Sequence, residues 1–115
     1  MDRQRFNYKF TKSRNVIMTH QEGNKLIAEF MGWESNIEDV FDYYSSWDWL
    51  MSVVEKIENM EVNNVFYEVL IGYCFCSIRL KDEKNFLSVS TTEFECNKKI
   101  DAVWKTVIKF IQATQ

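Results

Sequence analysis

The sequence predicts an α+β domain in which an antiparallel sheet of three to five strands is packed with amphipathic helices. Three observations carry this. Two segments, near 45–58 and 98–112, repeat apolar residues at helical spacing, and the run between them, 65–95, is dominated by strand-forming residues. Strands in one block with helices outside it define a layered α+β arrangement rather than a wound βαβ one. The two helices either lie together on one sheet face or sandwich the sheet.

The first of these segments starts at Ser45 or Ser46, either of which can cap a helix by accepting an amide hydrogen of its first turn. From Ser45, Asp48 falls at the third helical position of a short-armed capping box, and its charge suits the positive end of the helix dipole. Trp47, Leu50, Met51, Val54 and Ile57 form one face, widened by Val53, while Glu55, Lys56 and Glu58 take the other. Trp49 lies off that face. The helix should run about 14 residues, roughly 21 Å.

Upstream, Asn24 is the expected cap of a short helix through Met31, with Leu26, Ile27, Phe30 and Met31 on one side. Gly32 ends it, because glycine takes the left-handed conformation that closes helices, and Trp33 folds back on the helix end. Residues 34–44 are acidic, and the sequence leaves them as either a loop or a helical turn. Tyr43 and Tyr44 lead into the next helix.

Asn63-Asn64 signals a turn. A hairpin is expected from strands 65–70 and 74–80 joined near Ile71-Gly72-Tyr73, with Gly72 as the break. Cys74, Cys76, Ile78 and Leu80 alternate with Phe75, Ser77 and Arg79, so one face is covered. A charged loop then leads to a third strand, 86 to about 95, whose serine and threonine content suits a partly exposed edge. Asn97 caps the last helix, 98 to about 112, with Ile100, Val103, Trp104, Val107, Ile108 and Ile111 on its apolar face.

The 115 residues suit one domain with one core, and 46% hydrophobic with 27% charged residues argues against disorder. No run reaches the length of a membrane-spanning helix, and the first residues carry no apolar export signal, so the expected location is cytoplasmic. An odd cysteine count, no Cys-x-x-Cys pair and a single histidine, His20, make a poor zinc set. The cysteines read as buried reduced thiols, and no metal or cofactor is expected. His20 reads as a surface or boundary residue ahead of the first helix.

Charge is uneven. Residues 1–20 carry Arg3, Arg5, Lys9, Lys12 and Arg14 against Asp2 alone, whereas the other 95 residues carry 9 basic and 16 acidic side chains. Residues 1–20 are thus a basic arm or added strands, and 21–115 the domain. Phe6, Tyr8 and Phe10 alternate with polar neighbours, which favours an edge strand; an arm that touches phosphate and stacks bases is the alternative. Glu34, Glu38, Asp39 and Asp42 read as a solvated acidic face, and the functional alternative is an acidic face that binds a basic partner. Trp33, Trp49, Tyr43 and Tyr44 are the candidate exposed aromatics. No Ser/His/Asp or Cys/His arrangement with supporting context appears, so no catalytic residue is assigned.

Three blocks resemble small phage and prophage proteins of Bacteroidetes-type genomes, described as a phage ABA sandwich. They are Asn24-Lys25-Leu26-Ile27-Ala28-Glu29-Phe30-Met31-Gly32-Trp33, then Ser46-Trp47-Asp48-Trp49-Leu50-Met51 continuing through Val53 to Glu58, and, more weakly, Lys99 to Trp104 with Phe110-Ile111. The resemblance implies an α/β/α sandwich-like layering over about 23–112. Ser52 stands where such proteins usually have proline, and residues 1–20 have no counterpart. It also implies an accessory protein that binds and modulates a host defence nuclease complex, in the manner of CRISPR inhibitors, with a host protein or ribonucleoprotein, including guide RNA, as partner. The alternatives are a nucleotide-signal binder, with Arg79 or Lys81 meeting phosphate, and an RNA binder using the basic arm.

Overall fold

In the computed structural model, residues 19–33, 42–83, 86–96 and 98–114 are described. They form α1 (His20–Phe30), α2 (Trp47–Glu58), β1 (Glu61–Val62), β2 (Val65–Phe66), β3 (Glu68–Gly72), β4 (Phe75–Lys81), β5 (Phe86–Thr91) and α3 (Lys99–Thr114). The edge strand expected around Phe6, Tyr8 and Phe10, and the capping role of Asn97, lie outside the described residues.

The last helix is the centre of the molecule. On α3 the buried residues are Asp101, Ala102, Val103, Trp104, Thr106, Val107, Ile108, Phe110 and Ile111. This is more than the single stripe read from the sequence: Ala102, Thr106 and Phe110 lie outside that stripe and are also enclosed. The reason is that α3 packs on the sheet and is covered in turn by α1 and α2. A helix enclosed on several sides needs small or self-satisfied groups on its second face. Thr106 meets this by placing its hydroxyl 2.8 Å from both the Ala102 carbonyl and the Thr91 hydroxyl.

The three-stranded sheet has the order β3-β4-β5, antiparallel throughout, and β1 and β2 form a separate two-stranded hairpin. Its inner face carries Val69, Ile71, Cys76, Ile78, Leu80, Leu87 and Val89, all within or against the one core cluster. Cys76, Ile78 and Leu80 are buried as their alternation predicts. On the outer face Leu70 and Phe75 are each 40% exposed and Phe86 65%. Of the two layerings the sequence left open, the helices gather on the inner face.

The hairpin details depart from expectation. Asn63 and Asn64 adopt φ of 52° and 68°. Asparagine tolerates this left-handed region, so the turn closes a tight hairpin pairing Val62 with Val65. The expected single strand 65–70 is therefore two, broken at Tyr67. The β3–β4 turn falls at Tyr73-Cys74, one residue later than expected, because Gly72 remains paired with Phe75. β5 ends at Thr91 rather than near Glu95, and among the described residues it pairs with β4 alone, as an edge.

Helix ends show which local signals win. α1 begins four residues before the predicted cap: Thr19 accepts from the Glu22 amide at 3.1 Å, and Glu22 reaches back to the Thr19 amide at 3.0 Å. That Thr-x-x-Glu capping box outranks Asn24, which lies inside the helix. At the other end Gly32, at φ 93°, completes the expected stop. The Trp33 amide donates to the Ala28 carbonyl and the Gly32 amide to Glu29, the two bonds of a Schellman closure. α2 is capped by Ser46, bonded to the Trp49 amide. Asp48 is then the second helical residue, so no reciprocal box forms, although its charge still faces the dipole.

The buried face of α2 is Leu50, Val53, Val54 and Ile57. At 3.6 residues per turn its centre falls between Val53 and Val54. Trp47 and Met51, expected in the core, lie to one flank and are 39% and 36% exposed. Trp49 lies to the other flank and is half-buried against the core.

Asn24 is buried and joins three segments. Its carbonyl oxygen accepts from the Trp104 indole at 2.9 Å and from the Tyr44 amide at 3.1 Å, and its amide group donates to Asp42 at 3.4 Å. Beside it, Gly23 is required by close approach: a Cβ there would lie 2.2 Å from the Trp104 ring.

Two stability predictions follow from this packing. Replacing Gly23 with alanine should lower stability by about 1–3 kcal/mol in urea denaturation, despite the roughly 1 kcal/mol that alanine normally gains over glycine in a helix. A stabilised Gly23→Ala protein would mean that the Trp104 ring can move aside. Leu50→Ala, at a fully buried position, should cost about 2–5 kcal/mol by the same measurement.

Candidate functional site

Among the described residues, two hollows beside the core differ in chemistry. The first, about 420 Å³, is lined by polar and titratable groups including His20, Tyr44, Glu95, Cys96, Asp101 and Lys105. The His20 ring stacks on Tyr44 with centroids 3.5 Å apart and meets Trp104 edge-on at 5.5 Å. It is the first residue of α1 and is solvent-exposed, as its boundary position suggested.

The charges in this hollow satisfy one another. Buried Asp101 pairs with Lys105 at 3.1 Å and raises the Tyr44 phenol pKa, which burial already pushes up. Lys105 also donates to the Glu95 carbonyl, and Lys109 pairs with the Glu95 carboxylate at 2.8 Å. The Cys96 thiol contacts the Cys74 and Thr92 carbonyls, and burial together with the neighbouring Cys74 thiol pushes its pKa up. A thiol held protonated is a poor nucleophile. Cys76 is still less available: it is fully buried, and burial pushes its pKa to about 11. This hollow reads as a polar seam closing the N-terminal half of α3.

The second hollow, about 450 Å³, lies between the C-terminal end of α1 and the first turns of α2. Met31, Trp33, Tyr43, Asp48, Trp49 and Ser52 line it. Each is placed by an element already described. The Schellman closure delivers Met31 and Trp33, and the Ser46 cap sets Asp48 and Trp49 in the first turn of α2. Tyr43 and Trp49 meet near-perpendicularly, with centroids 5.5 Å apart and ring planes at 70°. The Trp33 indole lies by the Tyr43 phenol, partly offsetting the burial that raises its pKa. Trp33 is 51% exposed. Lys56 ties the same helix pair together, donating to the Phe30 carbonyl at 2.6 Å with its ammonium 4.6 Å from the Phe30 ring centroid.

Three of the four candidate aromatics, Trp33, Tyr43 and Trp49, therefore converge on one cleft, while Tyr44 belongs to the polar hollow. Tyr43 is not exposed as expected; at 1% exposure it forms the cleft floor, because its ring fills the gap between the helices. Asp42 is exposed, as an acidic-face residue should be, and accepts from the Ser45 amide and the Asn24 side chain. Glu34, Glu38 and Asp39, and the arm residues Arg3, Arg5, Lys9, Lys12 and Arg14, lie outside the described residues. Arg79 pairs with Glu68 across the outer sheet face at 2.7 Å, and Lys81 follows on that same face. Neither is set to supply a phosphate contact to the aromatic cleft.

The cleft role of Asp48 escaped sequence reading, since a first-turn aspartate is already explained by the dipole. Only knowing where Trp33 lands reveals it. Among the described residues, no three His, Cys, Asp or Glu side chains converge as a metal set. Comparison of the chain with known protein families, characterised proteins and solved structures finds no match. The phage-type resemblance thus rests on the three sequence blocks themselves.

The Glu95–Lys109 pair sets a pH dependence. The Lys109 hydrogen bond holds the Glu95 carboxyl below the usual glutamate range, against an opposing push from burial. A depressed folded-state value stabilises the fold above the unfolded-chain value, and that contribution is lost as pH falls through the folded-state value. Denaturant midpoints measured across that acid window should fall less steeply for Glu95→Gln than for the parent. Equal slopes would show that solvent screening cancels the pair.

Proposed function

We propose that this chain is a non-enzymatic phage or prophage accessory protein that binds a host protein, with a host defence nuclease complex as the partner class. The observation carrying this reading is the aromatic cleft, an open hollow lined by a half-exposed tryptophan and a carboxylate. Tryptophan in such a setting is the residue type that dominates protein interfaces. In the polar seam, Asp101 is paired with Lys105 and Glu95 with Lys109. Among the described residues no helix is long and apolar enough to cross a membrane, in keeping with action in the cytoplasm of the host.

A nucleotide-signal binder receives less support. The cleft volume suits a small ligand and its rings could stack a base, yet Arg79 and Lys81 sit on the outer sheet face.

Affinity capture from host cells, with bound protein and RNA both identified, tests the proposal. The parent protein should recover a nuclease component, and Trp33→Ala should recover several-fold less while keeping its melting temperature. Recovery of no nuclease component by the parent would remove this partner class.

A further inference from the structure

We propose that the aromatic cleft receives an arginine side chain of the protein partner, with the guanidinium stacked on the Trp33 or Trp49 ring and hydrogen-bonded to Asp48. This rests on the reading of the domain as a protein-binding module and adds the chemistry of what it binds.

Five observations point to a cation. Aromatic faces carry negative electrostatic potential and attract positive charge, and Trp33, 51% exposed, and Trp49 line the hollow together with the buried Tyr43 ring. Asp48 lines the same hollow, is exposed, and makes no hydrogen bond or ion pair among the described residues. Its position at the start of α2 explains why an aspartate is tolerated, but not why three aromatic side chains surround it. Among the described residues that line the cleft, Asp48 is the charged one and none is basic. The chain as a whole carries a net charge of −3, which favours approach of a basic surface. The domain uses the same chemistry internally on the neighbouring flank of these helices, where Lys56 sits over Phe30.

Within cations, the geometry selects a guanidinium. It is planar, so it can stack on an indole and still direct N–H donors sideways into a carboxylate. A quaternary ammonium would use the rings but could make no hydrogen bond to Asp48. Met31 and the aromatic rings offer apolar surface for the methylene stem of the arginine.

The test uses the full chain and blocked Gly-Arg-Gly peptides, followed by tryptophan indole N–H resonances. Titration should shift two of the four indole signals, absent respectively from Trp33→Ala and Trp49→Phe proteins. A citrulline peptide, equal in shape but neutral, should bind about tenfold or more weakly, as expected when a charged hydrogen bond is lost. Asp48→Asn, with its fold checked by circular dichroism, should weaken the arginine peptide to a similar degree and leave the citrulline peptide unaffected. Equal binding of arginine and citrulline would overturn the proposal. So would tighter binding of a trimethyl-lysine peptide that is indifferent to Asp48→Asn. If the arginine peptide fails while a captured partner still depends on Trp33, the arginine assignment falls and the protein-binding reading survives. If the peptide binds as stated but nothing is captured, the cleft chemistry stands and the partner class falls.

Discussion

The position of α1 is set by one crossing. At Gly23 the backbone comes so close to the Trp104 ring that no side chain fits between them, and at Asn24 one carbonyl oxygen satisfies the Trp104 indole and the Tyr44 amide together. The two requirements reinforce each other. Without glycine, the indole could not reach the asparagine; without the asparagine, burying the indole N–H would leave a costly unpaired donor. The same asparagine holds Asp42, which holds Ser45, and so the start of α2 is positioned from α1. The cleft lies between these two helices. Its geometry therefore depends on a crossing at the other end of α1.

Much of this architecture was legible because burial repeats with a period. The apolar stripe of α3 and the alternation of β4 report directly on which side faces the core. Periodicity is less informative about how wide a face is. Ala102 and Thr106 look like neutral helix positions, and only the presence of helices above and a sheet below encloses them. On α2, Trp47 and Met51 fit a helical stripe as well as Val53 does, and hydrophobicity alone does not say where that stripe is centred. The adjoining elements do. At the start of α1 two capping signals compete in the sequence, and the reciprocal Thr19–Glu22 box outweighs Asn24, whose side chain is committed to Trp104 and Tyr44.

The candidate site was legible in its aromatics and hidden in its assembly. Trp33 and Trp49 stand out because each falls outside an apolar stripe. That they belong to one cleft depends on a left-handed residue at Gly32, which turns the chain so that Trp33 faces the first turn of α2. Tyr43 shows the limit of reading exposure from neighbours. It sits in a polar stretch, yet the gap between two helices needs a large ring to fill it.

The central place of α3 also bears on synthesis. Asn24 and Trp104 are 80 residues apart, and the apolar faces of α1, α2 and the sheet all converge on a helix encoded after them. During translation these elements emerge with nothing to cover them, since a domain settles only when its long-range partners are available. The nascent chain must carry exposed apolar surface until α3 leaves the ribosome, and during that interval it is exposed to chaperones and proteases.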